Sequence, residues 1–317
     1  MEGSVQQPLV SVYIPSYNAS DTLEKAVRSA LAQMQDMEVI IVDDCSTDSS
    51  FEVAKKIASE DKRVKLFGMQ RNSGVAAVRN FALGKVTGKW VACLDSDDWY
   101  EEGRIEKLIA AAESENVDMA ADNQYFFDKH ANRVSKTSFP ASDGKEILDT
   151  DIFLANSNAT KNFDYGMLKP VFRADFLRRN SLAYHEAAKI SEDYYMLLEF
   201  FTAGGKAVLL HEPLYYYVQP FGSLSGVPQN EGRKHYNHEL QRSVHQHFAE
   251  KLKNRLSQKQ VEELQRRGRE IDSLISYYKL REALKKKDIK IIVVILTKTT
   301  FEFWKMIAAK VMSKLGI

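Results

Sequence analysis

The stretch VSVYIPSYNASDTLEKAVRSALAQ, residues 10–33, pairs a buried strand with an amphipathic helix and thereby decides the fold. Residues 9–14 are almost continuously apolar, which is typical of a strand that is covered on both faces. Apolar residues between positions 23 and 31 then recur at three- and four-residue spacing, the pattern of a helix with one buried face. The sequence therefore opens with a strand that leads into a helix.

Strand and helix continue to alternate along the first hundred residues. Further strands are predicted at 38–42, 64–67 and 90–94, with helices at 51–58 and 75–83. This alternation is typical of a parallel sheet flanked by helices, so we predict an α/β fold with a mostly parallel sheet. Beyond residue 100 we predict helices at 104–114, 172–180 and 190–203, strands at 117–127, 207–210 and 214–218, and two long helices between 230 and 287.

The composition is that of a globular protein with a large core. The chain has 317 residues, of which 44% are hydrophobic and 27% charged, and this excludes a disordered or fibrous chain. A formal net charge of +1 supplies no overall field for nucleic acid, so no nucleic acid is expected as a partner. Cys45 and Cys93 provide no disulfide scaffold and fit a reducing compartment. Because neither a secretion signal nor a membrane-spanning apolar run is visible, we expect a cytoplasmic location.

Polar side chains gather where three of the predicted strands end. They lie at 16–18, 43–48 and 95–98. Ligands of α/β proteins bind where the carboxyl ends of parallel strands meet at one edge of the sheet. The three loops therefore predict one common site.

Two of these loops are rich in carboxylates. The segment DSDD, residues 95–98, has three of them directly after a buried strand, which suits Mg²⁺ or Mn²⁺ shared with substrate phosphates. The alternative is that this turn caps a helix starting near Glu101. In the other loop, Asp44 could contact a nucleobase or a ribose hydroxyl, whereas Ser46 and Asp48 could cap the following helix.

These loops and the segments around them resemble the family 2 inverting glycosyltransferases, which have the nucleotide-diphospho-sugar transferase (GT-A) fold. The motifs occur in the family's order and are VSVYIPSYNASDTLEKAVRSALAQ, EVIIVDDCSTDSS, RNSGVAAVRNFAL, WVACLDSDDWY and SEDYY. The resemblance covers about residues 9–225. Within the family, the segments MAADNQYFF, LKPVFRADFL and PLYYYVQPFGSLS are similar to bacterial exopolysaccharide enzymes of the succinoglycan-type glucosyltransferase group.

The resemblance implies a UDP-sugar donor and assigns residues to its binding. The residues implied in nucleotide binding are Pro15, Tyr17, Asn18, Asp44, Arg79, Asp95 and Ser96. The Tyr17 ring is suited to stacking on the base, and Asp44 corresponds to the uracil contact. Asp97, together with Asp95, would bind the Mn²⁺ or Mg²⁺ that bridges the diphosphate. For Arg79, a solvated helix arginine is the alternative.

The resemblance also implies a catalytic base. An inverting displacement needs a carboxylate opposite the leaving diphosphate, to take the proton of the acceptor hydroxyl. Glu192 and Asp193 match the family's acidic pair, whose second member is usually the base, so Asp193 is the predicted base. The alternative is that both carboxylates only stabilise the start of a helix, where the helix dipole favours acidic residues.

The resemblance divides the chain into two regions. Residues 1–228 are expected to form the GT-A domain, with a nucleotide-binding half at 1–103 and an acceptor half at 104–228. Residues 229–317 are expected to form a C-terminal helical region with a basic amphipathic tail.

The tail carries most of the chain's charge asymmetry. Residues 279–317 have a net charge of +7, which leaves −6 on the rest. Phe301, Trp304, Ala308, Val311 and Leu315 share one helical face, with lysines off it. This pattern predicts a helix that lies in the plane of an anionic membrane surface. The alternative is that the face packs on the rest of the protein or on a second copy of the chain, as in a homodimer.

The expected activity is the transfer of a hexose, with inversion, from a UDP-sugar to a hydroxyl of a lipid-linked or polysaccharide acceptor in bacterial surface polysaccharide synthesis. The second resemblance suggests glucose, and we expect the enzyme at the inner face of the cell membrane. One rival function is a non-catalytic nucleotide-sugar-binding or scaffold subunit. The other, a sugar-phosphate nucleotidyltransferase, is disfavoured because no basic, glycine-rich loop follows the first strand.

Overall fold

The computed structural model describes residues 8–160, 163–219 and 237–315. The strands are β1 (Val10–Ser16), β2 (Met37–Asp43), β3 (Val64–Gly68), β4 (Trp90–Cys93), β5 (Trp99–Tyr100), β6 (Met119–Asp128), β7 (Arg133–Thr137), β8 (Lys145–Leu148), β9 (Val171–Arg173) and β10 (Ala207–Gln219). The α-helices are α1 (Leu23–Leu31), α2 (Ser50–Glu60), α3 (Val75–Leu83), α4 (Arg104–Ser114), α5 (Thr150–Asn156), α6 (Ala174–Arg179), α7 (Glu192–Thr202), α8 (His238–Leu252), α9 (Gln258–Lys286), α10 (Ile289–Lys298) and α11 (Phe301–Leu315). A short 3₁₀ helix, η1, spans Tyr165–Met167.

The first half of the sheet is parallel, as predicted. Strand β1 lies between β2 and β4, with Val10 opposite both Met37 and Trp90, and β3 pairs with the outer side of β2. Every residue of β1 and β2 is buried, which explains why both segments are mostly apolar and do not alternate with exposed polar residues. The predicted α/β class is confirmed.

The second half makes the sheet mixed. The strand order is β3-β2-β1-β4-β9-β6-β10-β5, with β7 beside β6 and β8 beside β10. Strand β9 runs antiparallel to both β4 and β6, whereas β6 and β10 are parallel to each other. Strands β5, β7 and β8 are antiparallel to their neighbours. The parallel arrangement that the alternation predicted is therefore concentrated in the first half of the chain.

Two predicted boundaries in the second half are wrong. The helix predicted at 172–180 begins as strand β9, because this short apolar run fills the gap between β4 and β6. A short apolar run does not by itself distinguish a strand from a helix. The strands predicted at 207–210 and 214–218 form one strand, β10, whose register shifts around Pro213. Proline has no N–H to donate to the ladder, which accounts for the irregular pairing at this point.

Apolar layers cover both faces of the sheet. One layer contains buried side chains of α1, α2 and α4, and the other contains those of α3, α5, α6 and α7. The second layer also includes Val244, Phe248 and Leu252 of α8 and Leu264 of α9. The C-terminal helices α8 and α9 therefore share a core with the sheet.

The last two helices are only partly packed. Helix α11 is held by Phe303 and Met306, which are buried beside Leu274 of α9. Of the residues on the predicted apolar face of this helix, Phe301 and Trp304 are exposed. The side chains of residues 311 and 315 lie outside the described part. Within the described ranges, none of the helices has both the length and the apolar character that a membrane crossing needs.

Candidate active site

The loops after β1 and β2 form one unit at the carboxyl edge of the sheet. The Asn18 backbone N–H donates to Ser46 Oγ at 3.0 Å, and Asn18 Oδ1 accepts from the Thr47 N–H at 2.8 Å. Asn18 has a φ of 49°, in the left-handed region that asparagine tolerates better than most residues. Pro15 is buried within β1, whereas Tyr17 is 49% exposed. Of the residues predicted here, Tyr17 therefore offers a free surface, and Asn18 joins the two loops.

The acidic residues after β2 have separate roles. Asp44 is buried, and its two carboxylate oxygens accept from the N–H groups of Ser73 and Gly74 at 2.7 and 2.8 Å. Asp44 thus fixes the loop that enters α3, where Gly74 has a φ of 86°. Asp48 accepts from Ser50 at the start of α2, and although desolvation raises the pKa of Asp48, its hydrogen bonds lower it to about 2.

The loop after β4 contains three carboxylates, the predicted ligands Asp95 and Asp97 and the buried Asp98. Asp98 is buried and accepts from the Tyr215 hydroxyl at 2.7 Å and the Val218 N–H at 2.8 Å, so it anchors the loop on β10. For Asp97, burial and the neighbouring Asp95 raise the pKa to about 6. In the part of the chain that the structure describes, no lysine or arginine forms an ion pair with Asp97.

Asp95 belongs to a network that crosses the site. Arg79 Nη2 donates to Asp95 Oδ1 at 2.7 Å, and Lys169 Nζ donates to Asp95 Oδ2 at 2.7 Å. The same Lys169 Nζ donates to Asp193 Oδ2 at 2.8 Å, and Arg79 Nη1 contacts both Asp193 Oδ1 and, at 3.1 Å, Glu192 Oε1. We call these five residues the charge network. It joins the loop after β4 to the start of α7.

The two cations of the charge network are buried beside its carboxylates, and this shifts the pKa values of the network. The side chains of Arg79 and Lys169 are only 2% and 8% exposed. Burial alone would lower the pKa of Lys169, but Asp193 and Asp95 raise it well above its usual value. Burial would raise the pKa of Asp95, yet Lys169 and Arg79 hold it well below its usual range. The carboxylates therefore favour the charged form of both cations, and these carboxylates come from two different parts of the chain.

Glu192 occupies a different environment within the network. Burial raises the pKa of Glu192, Arg79 opposes this, and Asp193 raises it further, so that the pKa lies above its usual value. Pairs of titratable groups with different environments are typical of sites that perform acid–base chemistry.

The start of α7 is braced from behind by the C-terminal helices. Ser191, which precedes α7, has a φ of 61°, and its Oγ accepts from Gln241 Nε2 of α8 at 3.0 Å. Arg267 of α9 lies 3.7 Å from the centre of the Tyr194 ring and donates to Asp164 at 2.9 Å. Asp164 begins η1, which leads to the loop of Lys169. Helices α8 and α9 thus position both sides of the charge network.

Sequence reasoning placed most of these residues but missed Lys169. The alternative of a solvated Arg79 is excluded, because the side chain is buried among three carboxylates. Lys169 had one available signal, a single cation within the apolar run LKPVF. No local sequence signal distinguishes Gln241 and Arg267, because both lie on charge-rich helices among many similar residues.

The carboxylates also bear on where a divalent cation would bind. Among the described residues, no group of three or more histidine, cysteine, aspartate or glutamate side chains has the arrangement of a preformed metal site. Mg²⁺ is commonly held by one or two carboxylates together with substrate phosphates. Asp97 fits this mode, because Asp95 lies beside it and, among the described residues, no lysine or arginine forms an ion pair with it. Asp95 has both oxygens engaged by Arg79 and Lys169.

Comparison with known proteins defines the class to which this fold and site belong. Residues 11–178 match the sequence profile of Glycosyl transferase family 2. The chain is 31% identical over 232 residues to the succinoglycan biosynthesis protein ExoO of Rhizobium meliloti, covering 69% of this chain and 63% of that protein. The chain therefore belongs to glycosyl transferase family 2.

Two further proteins are similar to this chain. The chain is 29% identical over 232 residues to a cholesterol galactosyltransferase of Borreliella burgdorferi, covering 71% of this chain and 64% of that protein. It thus spans a little under two thirds of the length of both curated relatives. A crystal structure of S. aureus TarS residues 1–349 with UDP-GlcNAc superposes with a TM-score of 0.59 and 19% identity, covering 90% of each chain. This likeness confirms the predicted GT-A type of fold.

Proposed function

We propose that this protein is a metal-dependent inverting glycosyltransferase that moves a hexose from a UDP-sugar to a hydroxyl of a saccharide acceptor. The observation that carries the proposal is the charge network, in which Arg79 and Lys169 hold Asp95 of the nucleotide half against Asp193 of the acceptor half. A transfer reaction needs donor and acceptor groups to meet at one point, and buried cations there suit a diphosphate leaving group.

The nucleotide would lie along the loops after β1, β2 and β4. Tyr17 offers an exposed ring for the base, with Pro15 and Asn18 shaping the loop beneath it. Asp44 acts through the loop it holds at Ser73 and Gly74 as well as through any direct contact. A UDP-sugar as the donor is supported by the TarS structures, which are described as complexes with UDP-GlcNAc and UDP.

The diphosphate would lie beside the loop of Asp95, Ser96 and Asp97. Asp97, with Asp95, would hold Mn²⁺ or Mg²⁺, and a bound cation of this kind supplies charge stabilisation to the departing diphosphate. Arg79 and Lys169 supply the protein's own positive charge at the same place, because both are buried beside Asp95.

The acceptor hydroxyl would lose its proton to a carboxylate at the start of α7. Asp193 is the proposed base and Glu192 its neighbour. Both contact Arg79, so a change of charge at one carboxylate changes the electrostatic environment of the other and of Asp95. Attack from the side opposite the diphosphate would invert the anomeric carbon.

The acceptor and the cellular setting are also part of the proposal. The name of ExoO supports a role in exopolysaccharide synthesis, and the Borreliella relative is named for a lipid acceptor. We propose a lipid-linked or polysaccharide acceptor, which places the enzyme at the inner face of the cell membrane. Residues 1–103 would bind the nucleotide, residues 104–228 the acceptor, and residues 229–317 would support both through α8 and α9.

The test is a panel of UDP-sugars that includes UDP-glucose, UDP-galactose and UDP-GlcNAc. The protein is incubated with each donor in Mn²⁺, Mg²⁺ or chelator, and released UDP is measured. We expect one donor to be turned over in metal and not in chelator, and the product of the matching acceptor to have the opposite anomeric configuration by NMR. Donor binding without turnover for every sugar and acceptor would favour the scaffold function. Pyrophosphate release in a separate incubation with UTP and a sugar 1-phosphate would favour the nucleotidyltransferase.

Asp44→Ala is expected to lower kcat/KM for the donor by roughly one to two orders of magnitude. A hydrogen bond that involves a charged group contributes about 1.5–3 kcal/mol, and Asp44 makes two of them to the loop that enters α3. Steady-state kinetics with varied donor measure the change. An unchanged KM with a lower thermal midpoint would mean that Asp44 only stabilises the loop.

Lys169→Met is expected to lower kcat by about 10²-fold, the scale of losing one charged stabiliser of a transition state. Loss of the ammonium also raises the pKa of the neighbouring carboxylates, so the acid limb of the pH–rate profile moves to higher pH. Lys169→Arg retains the charge and should recover part of both effects. An unchanged pH profile in Lys169→Met would show that the lysine is only structural.

A further inference from the structure

Helix α10 presents an apolar surface that the described residues leave uncovered. None of its residues is buried. The side chains of Ile289, Ile291, Val293, Val294 and Leu296 are 73%, 48%, 53%, 50% and 41% exposed. We call these five residues the α10 surface. Exposed apolar surfaces of this kind mark interaction sites, whereas single exposed apolar residues are ordinary.

The start of α11, which follows α10 in sequence, also has exposed apolar side chains. Phe301 and Trp304 are 79% and 48% exposed there, while Phe303 and Met306 are buried beside Leu274 of α9. The exposed aromatic pair therefore adds to the apolar side chains of this region, and the buried pair packs α11 on α9. Tryptophan and other amphipathic aromatics are enriched where a protein meets the boundary between water and lipid.

The rim of the α10 surface is strongly basic. Its exposed lysines are Lys285, Lys286, Lys287, Lys290 and Lys298. The two nearby acids are already engaged, because Glu282 pairs with Lys286 at 2.6 Å and Asp288 accepts from the Ile291 N–H at 3.1 Å. The partner that fits this rim is therefore anionic.

We propose that the α10 surface docks this protein on an anionic lipid bilayer, with α10 lying in the plane of the headgroups and its lysines on the lipid phosphates. A basic, apolar helix too short to cross a bilayer is suited to this position. A second copy of the chain fits less well, because a two-fold interface uses the same patch on both copies and would bring two basic rims together. The inference rests on the membrane location in the proposed function and deepens it, because it assigns the contact to α10 and not to α11 alone.

The test compares three variants of the full chain with the wild type. The first, I289Q/V293Q/V294Q, makes the three most exposed positions of the α10 surface polar. The second, K285Q/K290Q/K298Q, removes charge from the rim. The third, V134Q/I147Q, is a matched control that changes aliphatic side chains which are 39% and 40% exposed on strands β7 and β8. Co-sedimentation is measured with vesicles of phosphatidylcholine alone and of phosphatidylcholine with 30% phosphatidylglycerol.

We expect the wild type and the control to bind the anionic vesicles and to bind the neutral ones far more weakly. Each of the two triple variants should bind the anionic vesicles at least tenfold more weakly than the wild type. I289Q/V293Q/V294Q loses apolar insertion into the bilayer, and K285Q/K290Q/K298Q loses attraction to the lipid phosphates. Equal binding by the wild type and I289Q/V293Q/V294Q would overturn the proposal. Sedimentation velocity without lipid provides the other test, because a wild-type dimer that becomes monomeric in I289Q/V293Q/V294Q would assign the surface to a second copy.

Donor turnover separates this inference from the proposed function. UDP release in the absence of vesicles should be the same in all four proteins, because the α10 surface lies outside the charge network. If no protein turns over any donor but vesicle binding follows the expected pattern, the docking surface stands and the proposed activity fails. If turnover is normal and no protein binds vesicles, the activity stands and the docking surface fails.

Discussion

Asp97→Asn is expected to abolish metal-dependent turnover of the donor and to weaken UDP binding in Mn²⁺ or Mg²⁺. Asp97 is a partly buried carboxylate, and its burial together with the neighbouring Asp95 raises its pKa to about 6. A bound divalent cation would relieve the repulsion, and an amide cannot supply the charge that holds such an ion against a diphosphate. Because the proposed reaction needs that ion, the loss of turnover should approach the loss seen in chelator.

Asp48→Asn is the matched control for Asp97→Asn. It removes the same charge from another strand-end loop, but Asp48 accepts from the Ser50 N–H at the start of α2 and from the Ser20 N–H before α1. We expect it to retain metal-dependent turnover with some loss of thermal stability. Calorimetry of UDP binding with and without Mn²⁺ gives the decisive comparison. Full activity in Asp97→Asn, or full activity of the wild type in chelator, would contradict the metal assignment.

Strands β1 to β4 and helices α1 to α3 could be predicted because local patterns decide them. Strands β1, β2 and β4 are buried along their whole length, so their sequences are mostly apolar and easily recognised. Short strands with mixed exposure do not have that signal. Strand β7 is largely exposed, and β5 has only two residues that pair with β10. Such strands form because they pair with a neighbouring strand at the edge of the sheet. That pairing is a tertiary contact, which a local sequence pattern does not indicate.

The candidate site was predictable where it follows strand ends and unpredictable where it depends on distant partners. Asp95 and Asp97 follow β4 directly, so the topology alone places them at the carboxyl edge. Lys169 reaches the same point from a segment 74 residues away in sequence. Arg267 acts from a helix 103 residues after its partner Asp164. Contacts of this range depend on how α7 and α9 pack, and many lysines and arginines have the same local sequence pattern.

Asp193→Asn is expected to lower transfer by about 10²–10⁴-fold, the usual contribution of general-base catalysis. The variant should fold, because an amide preserves the shape of the carboxylate and Arg79 and Lys169 keep Asp95 as a partner. UDP binding should be unchanged or tighter, since removing one anion leaves both cations more available to a diphosphate. Transfer is measured with the donor and acceptor identified by the panel, and UDP binding is measured separately by calorimetry.

Glu192→Gln is the matched control, because Glu192 shares the start of α7 and the contact with Arg79. Equal losses from the two changes would mean that both carboxylates serve the helix and the charge network, and not proton transfer. A larger loss in Glu192→Gln would assign the base to Glu192, whose burial already raises its pKa towards the range that suits a base. Weakened UDP binding in Asp193→Asn would contradict the proposed geometry most directly, because it would place the start of α7 on the nucleotide side of the site.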